Sequence, residues 1–344
     1  MTLEARFRQA LADHQAGRLA AAEAGYRSLI TDAPDLAVAH HNLVALLRAQ
    51  HRLEALTPAY EALLALEPTP ELHLSLAVNL LRFGRYAEAW PHYEQRPSKA
   101  GSQPLGTVRE WLGEDLDGRS LVVWDEQGFG DQIQMARYIP LLQARGARVE
   151  YACREPLRPL MEGLCPTLPR YAENRGRWDF WVSSMSLPAR FGTTLETLPP
   201  PMPVKLGKTR SKDRGAGVGI VTQGGGRNPN DANRSLPPEA AARLMALPGA
   251  VSLQPEDTGA ADFARTAEII ARLERVITVD TAVAHLAASL GKPTDVLVTA
   301  LWPPWQWMLE RRDSPWYPAV RLHRQARPGD WSTVIDEVVS GGRG

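Results

Sequence analysis

One short loop carries a residue that could act as a general base. The sequence Gly128-Phe129-Gly130-Asp131 lies between a run of β-branched and aromatic residues and a helical pattern. The two glycines would let the backbone approach a ligand closely, and a carboxylate at Asp131 could take the proton of a reacting hydroxyl. Aspartate is also a preferred helix N-cap, so Asp131 has a purely structural interpretation as well.

A second loop, residues 223–234, has the composition of an anion-binding segment. Gly224 to Gly226 would offer unhindered backbone N–H groups, and Arg227 and Arg234 add fixed positive charge. A flexible surface loop has a similar composition, so this signal is weak by itself.

The third loop gives the most specific signal. Residues 279–286 (Val-Asp-Thr-Ala-Val-Ala-His-Leu) pass directly from a predicted strand to a predicted helix. Thr281 is placed to cap that helix, and the free N–H groups from Ala282 onward would hold a phosphate. His285 lies one turn later on the same face and could reach the same anion. We favour this interpretation over a structural role for a lone histidine beside a core helix.

Alternating strands and helices must position these three loops. Strands are predicted at Leu121–Asp125, Val149–Cys153, Asp179–Ser184, Gly217–Gln223, Val251–Gln254, Arg275–Asp280, Thr294–Thr299 and Val320–Leu322, and helices at 132–145, 238–246, 261–273, 282–290 and 332–339. Strands that alternate with helices form parallel sheets, so the pattern predicts two Rossmann-like domains with a hinge near Pro199–Lys212 and a cleft between them. All three loops then follow strand carboxyl ends, where parallel sheets bind ligands.

The first hundred residues have a different pattern, because they repeat. Gly17, Ala22, Tyr26, Leu29 and Pro34 recur 34 residues later as His51, Leu56, Tyr60, Leu63 and Pro68, and Gly84, Ala89 and Tyr93 follow after a further 33. This spacing resembles the tetratricopeptide repeat and predicts about three helix-turn-helix copies over residues 3–97. Stacked helical pairs leave a groove that could dock a protein, with Asn42, Arg48, Glu71 and Asn79 as candidate groove residues. A helical cap on the next domain, or on a dimer, is an equally good interpretation.

The overall composition excludes several classes of function. The 344 residues contain 39 Lys+Arg and 39 Asp+Glu, so bulk charge cannot drive binding to nucleic acid or to a membrane surface. Cys153 and Cys165 are too few for a disulfide framework or a four-cysteine zinc site. No apolar run approaches about 18 residues, and Met1–Leu11 does not have the pattern of a secretory signal. We therefore expect a cytoplasmic protein without a transmembrane segment.

A series of short motifs carries a family resemblance over nearly the whole chain. The motifs are Trp111-Leu-Gly113, Glu126–Asp131 with Arg137-Tyr138, Ser186-Leu-Pro188, Asn230-Asp231 with Arg234-Ser235, Ser252-Leu-Gln254, Asp280–Leu286, Ser314–Pro318, Arg324-Gln325 and Gly329–Trp331. In this order they resemble tetratricopeptide-repeat proteins with a family-9-like, heptosyltransferase-related glycosyltransferase domain. The resemblance implies an α/β GT-B fold of two Rossmann-like domains, preceded by an all-α repeat domain. The implied domains are residues 1–98, 99–205 for the acceptor and 206–344 for the donor, with the last helix crossing back to the acceptor domain.

The resemblance also implies an activity and assigns residue roles. A sugar would move from a nucleotide-sugar donor to an acceptor hydroxyl, with Asp131 as the base. Gly128 and Gly130 would form the acceptor loop, and the donor-binding residues would be Gly224, Arg234, Gln254, Asp280, Thr281, Ala282 and His285. Trp305 and Trp307 could stack on a base or sugar, or pack between the domains as we expect for Trp316 and Tyr317. No metal or other cofactor is expected, because the helix N-terminus, Arg234 and His285 would stabilise the leaving phosphate.

The acceptor is less well defined than the donor. The repeats could recruit a protein hydroxyl, such as a flagellin serine or threonine. A sugar transferase that acts on a glycan or on a lipid-linked acceptor is a closely related alternative. Thr222 and Ala288 stand where relatives carry Trp and Gly, and Pro304 and Gln306 where they carry Asp and Arg. The loss of that Asp and Arg would imply a different donor sugar or weakened catalysis. The alternative function is a non-catalytic docking protein whose transferase domain has degenerated.

Overall fold

The structure is a computed structural model that describes residues 1–100, 108–170, 178–206, 217–226 and 229–340. The chain divides into two compact units, Met1–Pro97 and Ser98–Gly344. The first unit is helical, and the second contains two parallel sheets.

Three helical pairs make up the first unit. The helices are α1 (Leu3–Gln15), α2 (Leu19–Asp32), α3 (Ala37–Ala49), α4 (Leu53–Leu66), α5 (Pro70–Arg82) and α6 (Tyr86–Tyr93). The recurring aromatic residues Tyr26, Tyr60 and Tyr93 are all buried, as a residue that fills the gap between paired helices must be. These bounds confirm the three repeats expected from the 34-residue spacing.

The turn inside each pair has a residue in the left-handed region of backbone space. The φ angles are 73° at Gly17, 53° at His51 and 75° at Gly84. A side chain at such a position costs about 1–2 kcal/mol, whereas glycine adopts it freely. The second repeat, which departs from glycine at His51, therefore keeps the turn geometry at the cost of backbone strain.

One candidate groove residue has a structural role instead. Asn79 is almost fully buried, and its side-chain nitrogen donates to the carbonyl oxygen of Leu53 at 2.8 Å and to Oγ1 of Thr57 at 2.9 Å. These bonds join α5 to α4. Asn79 is therefore not a groove residue, and our expectation for it was wrong.

The second unit contains two five-stranded sheets in which every strand pair is parallel. The first sheet has β1 (Arg109–Glu110), β2 (Ser120–Trp124), β3 (Arg148–Cys153), β4 (Thr167–Pro169) and β5 (Phe180–Ser183), in the order β1-β5-β2-β3-β4. The second has β6 (Val218–Val221), β7 (Ala250–Ser252), β8 (Arg275–Val279), β9 (Thr294–Val298) and β10 (Val320–Arg324), in the order β10-β9-β8-β6-β7.

The strand orders place a ligand crevice in each sheet. The chain winds in opposite directions from β2, to β3 on one side and β5 on the other, and likewise from β6, to β7 and β8. Ligands of open parallel sheets bind at the carboxyl ends of strands where the winding reverses. The crevices therefore lie beside the ends of β2 and β5 in the first sheet and of β6 and β8 in the second.

Short helices connect the strands. They are α7 (Pro97–Ala100), α8 (Phe129–Met135), α9 (Ile139–Ala144), α10 (Arg158–Met161), α11 (Leu187–Arg190), α12 (Asp231–Arg234), α13 (Pro238–Met245), α14 (Pro255–Thr258), α15 (Phe263–Arg272), α16 (Ala282–Ser289) and α17 (Ser332–Ser340). The helix expected at 132–145 is two helices, because a 3₁₀ turn at Ala136–Tyr138 separates α8 from α9. The strands β1 and β4, with only two and three residues, were not predicted.

The two sheets face each other through the helices that follow β2 and β8. Helices α8 and α16 pack together, and the rings of Phe129 and Phe263 lie 5.1 Å apart across the same boundary. Two Rossmann-like sheets with facing carboxyl ends are the expected GT-B architecture. The second half of the predicted hinge, residues 207–212, lies outside the described residues.

The last helix packs differently from expectation. The main contacts of α17 are with α13 and β10, both in the second half of the unit, where we expected contacts with the first Rossmann-like domain. Its buried residues Val334, Ile335 and Val338 form one apolar face, which covers its own sheet instead of crossing back. Among the described residues, no helix is long and apolar enough to span a membrane.

Candidate active site

Asp131 lies in the first turn of α8, directly above the end of β2. Its Oδ2 accepts a hydrogen bond of 2.9 Å from the backbone N–H of Gly128, which forms a capping arrangement at the start of the helix. Gly128 is the N-cap residue and Asp131 is the third residue of the helix, so Asp131 caps the helix from within its first turn and not as the N-cap. This hydrogen bond engages Oδ2, and the Asp131 side chain is only partly buried.

The electrostatic surroundings prepare Asp131 to accept a proton. Burial raises the pKa of Asp131 to about 6, the Gly128 N–H opposes that shift, and the carboxylates of Asp280 and Glu126 add to it. A carboxylate with a pKa close to the working pH is the preferred general base. The carboxylates of Asp131 and Asp280, which follow strands of different sheets, are thus close enough to influence each other.

Asp280, at the end of β8, is almost fully buried and fully engaged. Its Oδ1 accepts a hydrogen bond of 2.6 Å from Nε1 of Trp307, and its Oδ2 lies 3.3 Å from Nη1 of Arg234. Burial raises the pKa of Asp280, and the Arg234 guanidinium opposes that shift. Asp280 therefore acts as a support for the loop around it.

Arg234, the last residue of α12, is held between two carboxylates. Its Nη2 lies 2.5 Å from Oδ1 of Asp231, in addition to the contact with Asp280. Only about a tenth of its side chain is exposed. Much of the charge of Arg234 is thus already compensated, and its contact with a donor phosphate stays a prediction. The neighbouring Arg227 lies outside the described residues.

The N-terminus of α16 lies at the crevice of the second sheet. Thr281 is the N-cap residue, but its hydroxyl makes no capping bond and instead lies 3.3 Å from Oγ1 of Thr278. The first N–H groups of a helix, here from Ala282 onward, have no acceptor within the helix and can bind an anion. Ala282 is partly exposed, and the N–H of Ala284 already donates to the carbonyl oxygen of Thr281 at 3.0 Å.

His285 lies on α16 within a layer of aromatic rings. Its Nδ1 is 3.0 Å from the hydroxyl of Tyr317, and its ring stacks on Trp307 with centroids 5.1 Å apart. Burial, assisted by the cations Arg137 and Arg234, lowers the pKa of His285 to about 3. The imidazole is therefore neutral at physiological pH.

Two of the predicted glycines allow close approaches that no other residue could make. A Cβ on Gly130 would lie 2.7 Å from Cδ2 of His285, so α8 packs directly onto α16 at this point. A Cβ on Gly224 would lie 2.0 Å from Oδ1 of Asp231. Gly128, in contrast, is exposed and contributes its N–H group to Asp131.

Gln254 follows the edge strand β7 and caps α14 with its backbone. It is partly buried, and its backbone N–H donates to Oγ of Ser252 at 3.3 Å. No contact among the described residues joins its side chain to Arg234 or Asp280. Its proximity to a nucleoside stays a prediction.

The two tryptophans expected to stack on a ligand are buried in the protein. Trp307 is fully buried between His285 and Tyr317, and Trp305 packs edge-to-face on Trp316 at 5.4 Å. Both rings thus have packing contacts within the protein, and a stacking role on a base or sugar stays a prediction.

Sequence reasoning assigned no role to Arg137, which the structure places at the centre of the contact between the two sheets. The residue is almost fully buried, and its guanidinium carbon lies 4.8 Å from the ring centres of both Trp316 and Tyr317. This confirms the packing role expected for those two aromatic residues. The presence of Arg137 within the family motif was the only sequence signal for it.

The first sheet also ends in a pair of buried acids that sequence reasoning missed. Asp125 is fully buried, with its carboxylate 2.9 Å from Nε of Arg170 and 3.5 Å from Nε of Arg154. Glu126 accepts hydrogen bonds from the hydroxyls of Ser98 and Ser183. Two consecutive acids directly after a buried strand were the signal that could have identified this cluster.

A separate cavity of about 370 Å³ lies beside α12 and the ends of β9 and β10. It is lined by Asn233, Ser235, Leu236, Thr299 and Trp331 among others, and by none of the predicted site residues. Within the described part of the chain, no cluster of three His, Cys, Asp or Glu side chains is arranged to hold a metal ion. The expectation that no metal takes part stays a prediction.

Comparison with known proteins gives distant similarities. No family model matches the chain. It is 26% identical over 327 residues to Protein FlbA of Caulobacter vibrioides, an alignment that covers 78% of this chain and 54% of FlbA. The chain thus spans about half the length of the curated relative that it matches.

Two solved structures are distantly similar to this chain. The glycosyl transferase family 9 structure from Veillonella parvula has a TM-score of 0.46 at 12% identity, and covers 67% of this chain and 91% of its own. The E. coli ADP-heptose lps heptosyltransferase II has a TM-score of 0.44 at 15% identity, and covers 64% of this chain and 98% of its own. The assignment of the fold in this chain rests on its own sheet order and on the facing sheets.

Proposed function

We propose that this chain is a glycosyltransferase that moves a sugar from a nucleotide-sugar donor to an acceptor hydroxyl. The observation that carries the proposal is the placement of Asp131. A half-buried carboxylate with a pKa raised to about 6 lies on α8, which packs against the first turns of α16 between the two parallel sheets. A base opposite an anion-binding helix terminus is what this transfer requires.

The reaction uses these groups as follows. The acceptor oxygen bonds to the anomeric carbon of the donor sugar while its proton passes to the Asp131 carboxylate. The bond between that carbon and the phosphate oxygen breaks, and the nucleotide leaves with the electron pair. The N–H groups at Ala282, the guanidinium of Arg234 and the neutral imidazole of His285 stabilise the charge that develops on the phosphate.

The acceptor in this proposal is a protein hydroxyl, such as a flagellin serine or threonine, docked by the helical repeats. Three helical pairs support it, since stacked pairs form a groove suited to an extended peptide. Glu71 on α5 is exposed and available for such a contact. In the full chain, Glu71→Lys should lower transfer to a protein acceptor while donor hydrolysis stays unchanged. An equal loss in both reactions would contradict repeat-mediated docking.

The proposal is tested with a panel of nucleotide-sugars. Release of nucleotide and transfer of the sugar should be detectable with one nucleotide class and should proceed in the presence of a chelator. Thermal shift with nucleoside mono- and diphosphates should identify the same class through a raised Tm. Turnover that is abolished by the chelator and restored by a metal ion would contradict the metal-independent mechanism.

One observation favours the alternative, a non-catalytic docking protein. The charge of Arg234 is shared by Asp231 and Asp280, so the described part of the donor site has more carboxylates than cations. An anionic nucleotide must compete with those carboxylates for the arginine. If no nucleoside mono- or diphosphate raises the Tm, the docking function replaces the catalytic one.

A further inference from the structure

The turn between β2 and α8 contains a residue other than glycine in the left-handed region of backbone space. The φ angle of Gln127 is 64°, and Gly128 follows it in the chain. Residues with a side chain rarely adopt this conformation, and they keep it only where the surrounding structure holds it. A contact beside the turn must therefore hold Gln127 in place.

Arg154 contacts this turn at three points. The residue lies directly after β3, the strand beside β2. Its Nη2 donates to the backbone carbonyl oxygen of Gln127, and its guanidinium carbon lies 5.1 Å from the centre of the Phe129 ring. Its Nε is 3.5 Å from Oδ2 of Asp125. One side chain thus contacts residues before, within and after the turn.

The carbonyl of Gln127 is the contact that depends most on Arg154. The carboxylate of Asp125 has a nearer cation, because Nε of Arg170 lies 2.9 Å from its Oδ1. The side chain of Arg154 is itself partly exposed, so water can take its place when it is shortened. The loss of Arg154 should therefore act on the turn more than on the packing of the sheet.

The peptide group between Gln127 and Gly128 joins Arg154 to the proposed base. Its oxygen accepts the hydrogen bond from Nη2 of Arg154, and its N–H donates to Oδ2 of Asp131 at 2.9 Å. The C=O and N–H bonds of a trans peptide point in opposite directions, so the guanidinium and the carboxylate bind the two ends of one dipole. Hydrogen bonds in such a chain polarise one another, and the contact with Arg154 therefore strengthens the bond that Asp131 accepts.

We propose that Arg154 is a positioning residue for the base, because it holds this peptide group so that the Gly128 N–H stays on Oδ2 of Asp131. Without Arg154, Gln127 can leave the left-handed region, the following peptide group reorients, and the carboxylate loses its backbone donor. The role of Asp131 as a base rests on the proposed glycosyl transfer, whereas the position of the peptide group is a property of the free protein.

Carbon NMR of the aspartate carboxyl groups in the full chain tests this link without a substrate. The Gly128 N–H lowers the pKa of Asp131 against the larger effect of burial, which raises it to about 6. Loss of that donor in Arg154→Gln should raise the pKa of Asp131 further, by roughly one pH unit. The signal is identified by its loss in Asp131→Asn. A pKa of Asp131 that is unchanged or lower in Arg154→Gln would overturn the proposal.

Arg158 supplies a matched control on the same segment. Its side chain is 27% exposed, against 30% for Arg154, and it pairs with Glu155 and Glu162. Arg158→Gln thus removes a cation of similar exposure, and the pKa of Asp131 should stay close to that of wild type. An equal rise in both variants would show that the lost charge, and not the peptide contact, acts on the carboxylate, which would contradict the role of Arg154.

Gln127→Gly tests whether the contact acts through the backbone of the turn. Glycine adopts a positive φ angle freely, so the turn needs less support from Arg154 in this variant. Adding Arg154→Gln to Gln127→Gly should therefore raise the pKa of Asp131 by less than Arg154→Gln alone raises it in wild type. An equal or larger rise would contradict positioning through Gln127.

Kinetics then separate this inference from the proposed function. With an active donor, Arg154→Gln should lower kcat about 10-fold and move the acid limb of the kcat/KM profile to higher pH, and Arg158→Gln should change neither. Turnover with an unmoved profile in Arg154→Gln would overturn the positioning role and leave the proposed function in place. If no nucleotide-sugar is turned over while the pKa of Asp131 rises, the positioning role stands and its link to catalysis is overturned with the proposed function.

Discussion

The carboxyl ends of the two sheets place the same residue type in two different states. After β2, Asp131 is partly exposed and accepts one backbone hydrogen bond. After β8, Asp280 is buried and engaged at both oxygens by Trp307 and Arg234. Both carboxylates follow a strand, so their position does not distinguish them. Their hydrogen-bond partners determine whether each one supports a loop or can take up a proton.

The largest expected effect is on catalysis at the first of these carboxylates. Asp131→Asn keeps the size and the acceptor for the Gly128 N–H but removes the base, so kcat for transfer should fall by about 10²–10⁴-fold. The Tm should not fall at neutral pH, because burial disfavours the ionised form of Asp131 and the amide carries no charge. Steady-state kinetics and thermal unfolding of the same samples measure both quantities. Transfer at the wild-type rate would remove Asp131 from the mechanism.

The reverse pattern is expected at the second carboxylate. Asp280→Ala leaves the indole N–H of Trp307 without its acceptor and removes one of the two carboxylates that contact the mostly buried Arg234, which should lower the free energy of unfolding by about 3 kcal/mol. Asp313→Ala is the control, because Asp313 pairs with Arg311 on the surface. This variant should change the free energy of unfolding by less than about 1 kcal/mol. Equal effects of the two variants in denaturant unfolding would show that Asp280 is not a structural support.

The contact between the two sheets can be loosened without touching either carboxylate. In Gly130→Ala the new methyl group would overlap His285, so α8 must move away from α16, and we expect about a 10-fold loss of kcat. Gly163→Ala is the matched control, since its nearest neighbour would lie 3.4 Å away. Kinetic comparison of the two variants at equal fold content is the measurement. Wild-type activity in Gly130→Ala would show that the close packing of α8 on α16 is not needed.

The smallest effect is the dependence of stability on pH. The folded pKa of Asp131, about 6, lies above the ordinary aspartate value of 3.8, so the folded state holds this proton more tightly than the unfolded state does. The contribution of this proton to the free energy of unfolding is fully present below about pH 4. It is lost as the pH rises through 6, at no more than about 1.4 kcal/mol per pH unit. The free energy of unfolding of wild type minus that of Asp131→Asn should therefore decrease across this range. A difference that increases with pH would contradict the assigned environment.

Local patterns allowed much of the fold to be predicted from the sequence. The 34-residue spacing gave all six repeat helices, and eight strands were recognised from short apolar runs. The strands β1 and β4 were missed because two or three residues carry no periodicity. The loops that hold Asp131, Arg234 and Thr281 were found because strand-to-helix turns with glycine or capping residues have local signatures.

Long-range contacts account for what the sequence did not reveal about the site. Arg137 bonds a carbonyl 179 residues away, and Tyr317 lies 32 residues from His285, so no window of sequence contains either pair. The burial of Trp305 and Trp307 has the same origin, because an aromatic cluster has the same composition whether it binds a ligand or fills a core.

The central claim is that the two facing sheet edges form one donor and acceptor site, and the pKa of Asp131 reports on it directly. Carbon NMR of aspartate carboxyl groups, titrated with and without a nucleoside diphosphate, gives that value, and Asp131→Asn identifies the signal. The account predicts a pKa near 6 in the free protein and a higher value when the diphosphate binds at α16, because the added negative charge across the cleft disfavours the carboxylate. A diphosphate that binds and leaves the pKa of Asp131 unchanged would contradict the claim.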